Sequence, residues 1–390
     1  MAGADVLVLA TLDTKSTEAG YLVDRIAQLG HRADVLDTTL DGADRQLPGT
    51  AKLEAMATAA AVTRRQLEAR LDGGARVIVG LGGGTGAQII AAAFADLPFA
   101  LPKVLVTTMA SDPRPDTADN SIILIPSVAD LMGLNPTVRQ VLQNAAAVVA
   151  GLADHGVPHP DVDAARTVGL TALGVTGAGV TAANDALRSR GYETTVFHAN
   201  GFGGKAFVRW AGGGAFSGVI DYTIHELNRF TFGGRHVVPT NRFTAAAEAG
   251  LPQVVLPGAI NFYTGEPLDQ LSAEERRRPH YSHSPHFTHL ALDVDEMASA
   301  GTALGKALAT SATPTTLVVP LGGFSSEDRP GGAIENPAGR EAFVEAARDA
   351  AGTRVHVRCL DRVHVNDPAA AEAAVAALLP DLVATSAPLS

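Results

Sequence analysis

The feature that most constrains this chain is an alternation that runs almost its whole length: short apolar runs, each followed by a stretch with helical spacing. Val6–Ala10 is the first apolar run, and a helix is expected near Thr17–Leu29. Ala33–Leu36 reads as a second strand, and Leu53, Met56, Ala60, Leu67 and Leu71 keep the spacing of one helical face. Val77–Gly80 and Lys103–Thr107 are further strands. Parallel strands need crossover helices, and such crossovers are right-handed. The pattern therefore predicts a mostly parallel sheet with helices on both faces.

After a long predicted helix over Asn135–Ala153, the stretch Asp154–Ala165 carries two prolines and reads as a linker. Beyond it the alternation starts again. Strands are predicted at Thr167–Leu173, Thr194–His198, Gly218–Asp221, Val254–Leu256, Thr316–Val319 and Arg354–Cys359. Helices are expected over Thr181–Arg190, near Ala206–Ala211 and over Ala369–Leu379. A chain of 390 residues exceeds one typical core. The reading is two similar α/β domains, 1–155 and 166–390, the first of them nucleotide-binding.

Charge and cysteine narrow the function. The net charge of −11 repels phosphate backbones and argues against nucleic acid as a partner. A nucleotide remains possible, because loop dipoles can hold phosphates inside an acidic protein. Cys359 is the single cysteine, which excludes a disulfide within the chain and a thiolate metal site. The start, MAGADVLVLATLDTK, has no basic region or cleavage site and reads as a first strand. No apolar run approaches the roughly 20 residues of a membrane span. A cytoplasmic protein without a membrane partner is expected.

Ligands of open parallel sheets sit beyond the carboxyl ends of the strands, and several loops there carry chemistry. Thr11–Thr17 places Asp13, Thr14 and Lys15 directly after the first strand. Lysine and threonine suit a phosphate, and aspartate suits ribose or magnesium. The same string also reads as a helix start with Thr14 as its N-cap. Gly80–Gln88, GLGGGTGAQ, has Gly82, Gly83, Gly84 and Gly86. They leave backbone amides bare, permit positive φ, and lead into a helix whose dipole attracts anions. The loop lacks the Gly-Lys-Ser/Thr of a P-loop and is no clean G-x-G-x-x-G; a tight packing turn is the alternative.

In the second half, Gly174–Thr181 (GVTGAGVT) is another glycine-rich turn, and His198–Phe207 (HANGFGGKAF) presents Lys205 beside Gly203 and Gly204. That second loop fails as a P-loop at Ala199 and Ala206, but a glycine turn offering a cation to an anion stands. His280, His283, His286 and His289 recur every three residues. Pro279 and Pro285 break any helix that would align them. A loop near the active cleft with one functional histidine is expected rather than a tetra-histidine metal site.

Taken in order, TLDTK, GLGGGTGAQ, LPKVLVTTMAS, DLMGLN with NAAAVVAGL, GVTGAGV, GYETTVFHANGFGGKAF, LPQVVLPGAINF and VHVNDP resemble the Tm-one-like ATP-binding domain family over nearly the whole chain. The resemblance implies two Rossmann-like domains with mostly parallel sheets flanked by helices, bound ATP in the N-terminal region, and a homodimer. Thr11, Asp13, Thr14 and Lys15 match the family's first motif. Gly82, Gly83, Gly84, Thr85 and Gly86 match its glycine loop, where a serine-glycine-glycine order is usual. Met109, Ala110 and Ser111 match its TMAS stretch and Asn135 its GLN motif. His198, Gly201, Gly203 and Gly204 match its histidine-glycine motif, with Lys205 where arginine is common. Asn366 and Asp367 match its NDP motif. His283-Ser284-Pro285 departs from a usual His-Asn-Pro, Ala291-Leu292-Asp293 replaces an arginine-threonine strand, and the segment 111–130 diverges.

The expectation is an ATP-binding protein, an enzyme acting on a small anionic metabolite between the domains. Lys15 would neutralise phosphate, Asp13 would hold magnesium, and a histidine, His198 or His283, would serve as acid or base, with Glu226 a further candidate. Two other readings stay open: a nucleotide-binding interaction protein without turnover, and a nucleotide-independent hydrolase or C–C bond enzyme on the same fold.

Overall fold

The computed structural model describes residues 5–40, 44–156, 163–229 and 238–385. The chain folds as two compact units, Met1–Pro160 and Asp161–Ser390. Most of the expected linker, residues 157–162, lies outside the described residues. Both units are Rossmann-like: a parallel sheet with helices packed on its faces.

The first unit runs β1 (Val6–Ala10), α1 (Leu12–Gln28), β2 (Ala33–Asp37), α2 (Gly49–Asp72), β3 (Val77–Gly82), α3 (Gly84–Phe94), β4 (Lys103–Thr107), β5 (Ile122–Pro126) and α4 (Pro136–His155). The sheet order is β2-β1-β3-β4-β5, all parallel, with Val6 opposite both Ala33 and Val77. Side chains alternate across it. Val6, Val8, Val79 and Val106 meet Leu22 and Ile26 of α1 and Leu142 of α4 on one face. Leu7, Leu9, Ile78 and Leu105 meet Leu67 of α2 and Ile90 and Phe94 of α3 on the other. Both faces are covered, which is why β1 and β3 are apolar throughout.

The chain leaves β1 for β2 on one side and returns to β3 on the other, so the direction of winding reverses between β1 and β3. In such sheets the crevice at that reversal is where ligands bind. Strand β5 falls in the divergent segment and is not among the predicted strands; as the sheet edge it buries little, and Ile123 is exposed.

The second unit contains β6 (Thr167–Ala172), α5 (Gly177–Arg188), β7 (Glu193–His198), α6 (Gly203–Gly212), β8 (Gly218–Thr223), β9 (Gln253–Gly258), β10 (Phe262–Gly265), β11 (His280–Ser284), β12 (Phe287–Ala291), α7 (Val294–Ala309), β13 (Thr315–Pro320), α8 (Pro337–Ala351), β14 (His356–Leu360) and α9 (Pro368–Thr385). Its large sheet has the order β7-β6-β8-β9-β13-β14, and its reversal falls between β6 and β8. A separate antiparallel sheet, β10-β12-β11, rises just after the carboxyl end of β9. The histidine segment is therefore a β-hairpin, not a loop. Cross-strand pairing lets its polar residues form strands despite the flanking prolines.

Among the described residues no helix is long and apolar enough to cross a membrane.

Candidate functional site

The string TLDTK is not a loop. Leu12 already begins α1, and the N-cap is Thr11, not Thr14. Thr11 lies in extended backbone and its carbonyl accepts the amides of Thr14 and Lys15. The helix kinks at Lys15, whose φ of −127° and ψ of 15° are not helical. The Thr11 and Thr14 hydroxyls are 3.1 Å apart. Asp37, at the end of β2, supplies an anion to this helix start by accepting from the Leu12 amide at 3.1 Å and from the Thr39 hydroxyl. Burial pushes the Asp37 carboxyl up, but the bonds from Thr39 and Leu12 outweigh it and hold it below its ordinary value. Asp13 turns the same way: its carboxylate accepts from Thr39 at 3.4 Å and Thr14 at 3.3 Å.

The glycine loop closes the other wall. Gly83 is the N-cap of α3 and no side chain caps that end. The first amides of a helix have no intrahelical partner and carry the positive end of its dipole. None of Gly82, Gly83, Gly84 or Gly86 uses a positive φ, contrary to the conformational role expected of them. For Gly82 and Gly86 the reason for glycine is space. A Cβ on Gly82 would lie 2.3 Å from the Ala87 amide nitrogen, so glycine lets α3 press on the strand end. Gly86 packs on Thr11, with a Cβ position 3.3 Å from its methyl group. Gly83 and Gly84 differ: the nearest atoms to their Cβ positions are 4.0 Å and 3.5 Å away, ordinary contact or none. Packing does not require glycine there, and its absence of a side chain leaves the backbone bare toward open space.

That space is a cavity of about 290 Å³. Thr11, Thr14 and Lys15 of the α1 start, Gly83 to Gly86 of the α3 start, Leu40, Ile89 and Lys52 form its wall. Thus the structure brings Thr11, Thr14, Lys15, Gly83, Gly84, Thr85 and Gly86 together at the β1/β3 reversal. It adds Lys52 in the first turns of α2, which no sequence motif marked, because a lone lysine on an amphipathic helix carries no signal of its own. Asp13 lies outside this wall. Gly83 and Gly84 also back a second, smaller hollow lined by Met109, Ala110 and Ser111 together with Gln88, Asp116 and Thr117. Met109 there holds a φ of 55°, a left-handed conformation uncommon outside glycine. Asn135 stands elsewhere, as the N-cap of α4, accepting from the Val138 amide at 2.9 Å.

In the second unit the matching glycine turn is filled from within. Glu226, with no exposure, accepts from the amides of Gly201 at 2.9 Å and Gly204 at 3.0 Å at the start of α6. Its other oxygen takes the Nε of Arg242 at 2.7 Å, and Arg242 also grips Asp221 with two bonds. Burial works against the Arg242 charge, but the two carboxylates raise its pKa above the ordinary value. A Cβ on Gly204 would lie 2.2 Å from Glu226, and one on Gly203 2.2 Å from the His198 carbonyl. His198 itself is exposed at the end of β7, and Lys205 is half-buried in the first turn of α6. Asn366 clamps the turn after β6, taking the Gly179 amide at 3.1 Å and donating to the Val175 carbonyl at 2.9 Å. Asp367 accepts from the amide of His364 at 2.8 Å.

The hairpin sorts the histidines. Tyr281 sits directly opposite His289, and the Tyr281 hydroxyl is 2.8 Å from His289 Nδ1. Exposed His283 stacks on His289 at 4.8 Å, and His280 bonds the Arg278 carbonyl. Burial, with His225 and His283 nearby, pushes His289 down to about 3. Among the described residues no three His, Cys, Asp or Glu side chains are grouped so as to hold a metal ion.

Comparison with known proteins adds the lineage. Residues 32–157 match the model described as the N-terminal domain of uncharacterised protein family UPF0261, and residues 165–381 match that of its C-terminal domain. Similar proteins include a UPF0261 protein of Mesorhizobium japonicum, 34% identical over 96% of this chain and 98% of the relative. Another, from Rhizobium meliloti, is 35% identical over 95% of this chain and 98% of the relative. The tomato (Solanum lycopersicum) ToMV resistance protein Tm-1 is 30% identical over 77% of this chain and 41% of its own length. Both domain matches and the similarity to the Mesorhizobium and Rhizobium proteins over nearly their full length place the chain in the UPF0261 family, to which it belongs.

Proposed function

We propose that the first unit binds a nucleotide, ATP, by its phosphates in the crevice between the ends of β1 and β3. The observation that carries this reading is the convergence of an uncapped, glycine-bare helix start with Lys15 and Lys52 on one cavity. Backbone amides and a helix dipole favour an anion, and two ammonium groups supply mobile counter-charge. Gly83 and Gly84 give the close backbone approach a phosphate needs. The adenosine part rests on the family resemblance; the geometry supports the phosphate part. Magnesium, if it accompanies the nucleotide, finds the Asp13 and Asp37 carboxylates beside the α1 start, outside the cavity wall, and would be held mainly by phosphate oxygens and water.

Among the described residues, the wall of this cavity contains hydroxyls and ammonium groups but no carboxylate or imidazole. Binding without turnover by these residues alone is therefore the reading favoured here, and an ATP-dependent reaction would need acid–base groups from elsewhere in the chain. Titration calorimetry of the full chain with ATP tests the proposal. Saturable heat that inorganic triphosphate competes away supports it. Absence of binding at millimolar nucleotide removes it.

A further inference from the structure

We infer that the second unit carries a nucleophilic site in which Thr264 attacks a small ester or similarly activated acyl compound and His225 takes its proton. The place is beyond the carboxyl ends of β8 and β9, the edge of the sheet at which ligands of such folds bind. His225 opens the turn just after β8, and the antiparallel sheet lays Thr264 over it. His225 is 3% exposed, and its Nδ1 is 3.0 Å from the Ala259 carbonyl oxygen. A carbonyl only accepts, so Nδ1 carries the proton and Nε2 presents its lone pair. That lone pair faces the Thr264 hydroxyl at 3.2 Å. Nucleophile, base and orienting group thus stand in the order that activates a hydroxyl.

Two features fit this role. Ala259 holds a φ of 59° while fully buried, a strained conformation of the kind kept at functional sites. The Phe262 ring, 4.6 Å from that of His225, fixes the imidazole plane. Thr264 is only half-buried, so its hydroxyl is within reach of a ligand. Directly across the strand pair is His289, bonded to the Tyr281 hydroxyl. With Tyr281 donating to Nδ1, the neutral His289 ring keeps its proton on Nε2, a donor for the developing oxyanion.

In the step itself, Thr264 Oγ1 bonds to the acyl carbon as the bond from that carbon to the leaving alkoxide breaks. The hydroxyl proton passes to His225 Nε2 and from there to the alkoxide. Water, deprotonated by the same nitrogen, then cleaves the acyl-threonine to the acid and restores the hydroxyl.

The test uses the full chain and p-nitrophenyl acetate, reading p-nitrophenolate release and, by peptide mass mapping, the acetylated residue. Wild type should show a burst and an acetyl group on Thr264. Thr264→Val should show neither, Thr264→Ser should be acetylated at position 264, and His225→Gln should slow the burst about a hundredfold. Should His225→Gln fail to fold, the valine and serine variants decide. An acetyl group on another residue, no acetylation of wild type, or a Thr264→Val burst equal to wild type overturns the inference. The assay contains no nucleotide, so its outcome is read separately from ATP binding.

Discussion

Glu226 and Arg242 meet at 2.7 Å with neither side chain exposed to solvent, and this pair sits where the second unit's glycine turn would otherwise seat an anion. The Gly82–Gly86 and Gly201–Gly204 turns thus differ: the first leaves its helix start open, and the second is closed by its own unit's carboxylate. Arg242→Met should expose the consequence. It would leave Glu226 and Asp221 buried without the cation that bonds both, a loss of about 3–5 kcal/mol. The midpoint of urea denaturation measures it. A shift worth less than about 1 kcal/mol would mean that the pair is not what holds this loop.

Two neighbouring glycines should behave oppositely. Gly82→Ala would drive a methyl to 2.3 Å from the Ala87 nitrogen and should cost about 1–3 kcal/mol of stability. Gly83→Ala meets nothing closer than 4.0 Å and has an ordinary φ of −78°, so its melting temperature should barely change. Its methyl would stand in the cavity, and nucleotide affinity should fall. Scanning calorimetry and ligand titration on both variants separate packing from binding.

Lys15→Ala and Lys52→Ala should each weaken nucleotide binding. A charge-assisted contact is worth about 1.5–3 kcal/mol, or roughly ten- to hundredfold in affinity. Both side chains are only half-buried, so circular dichroism should report an intact fold. Equal affinity in wild type and both variants would leave the cavity without a ligand role.

Acid should destabilise the protein through His289. Burial lowers its folded pKa from 6.5 to about 3, so between those values the unfolded chain binds more protons than the native one. The stabilising contribution is complete above pH 6.5 and is lost as pH falls toward 3. The slope from this one group is at most about 1.4 kcal/mol per pH unit. His289→Phe should flatten the stability profile in that window, measured as denaturation midpoints from pH 4 to 7. An unchanged slope would assign the acid sensitivity to other groups.

Much of the fold was legible because its cause is local. Val6–Ala10 and Val77–Gly82 are apolar on both faces, and a parallel sheet covered on both sides buries them. The close approach at Gly82 and at Gly204 was legible too, since a run of residues without side chains leaves room for a neighbouring backbone or carboxylate. The hairpin strands were not legible. His280–Ser284 is polar and flanked by proline, and becomes a strand only because Phe287–Ala291 pairs with it.

What the sequence by itself determined, then, is the alternation of apolar strands with helices in the two parallel sheets, and so which segments lie near the carboxyl edge of each sheet, though it set the start of α1 near Thr17 where the helix begins at Leu12. The tertiary structure decided what those residues do there. Lys52 joins Lys15 across 37 positions, Glu226 fills the turn at Gly201–Gly204, and Thr264 meets His225 from another sheet. Backbone propensity and apolar periodicity act over a few residues and can be read along the chain. A cavity wall or a buried ion pair joins groups far apart in the sequence, and exists only once strand order and crossovers have brought them together.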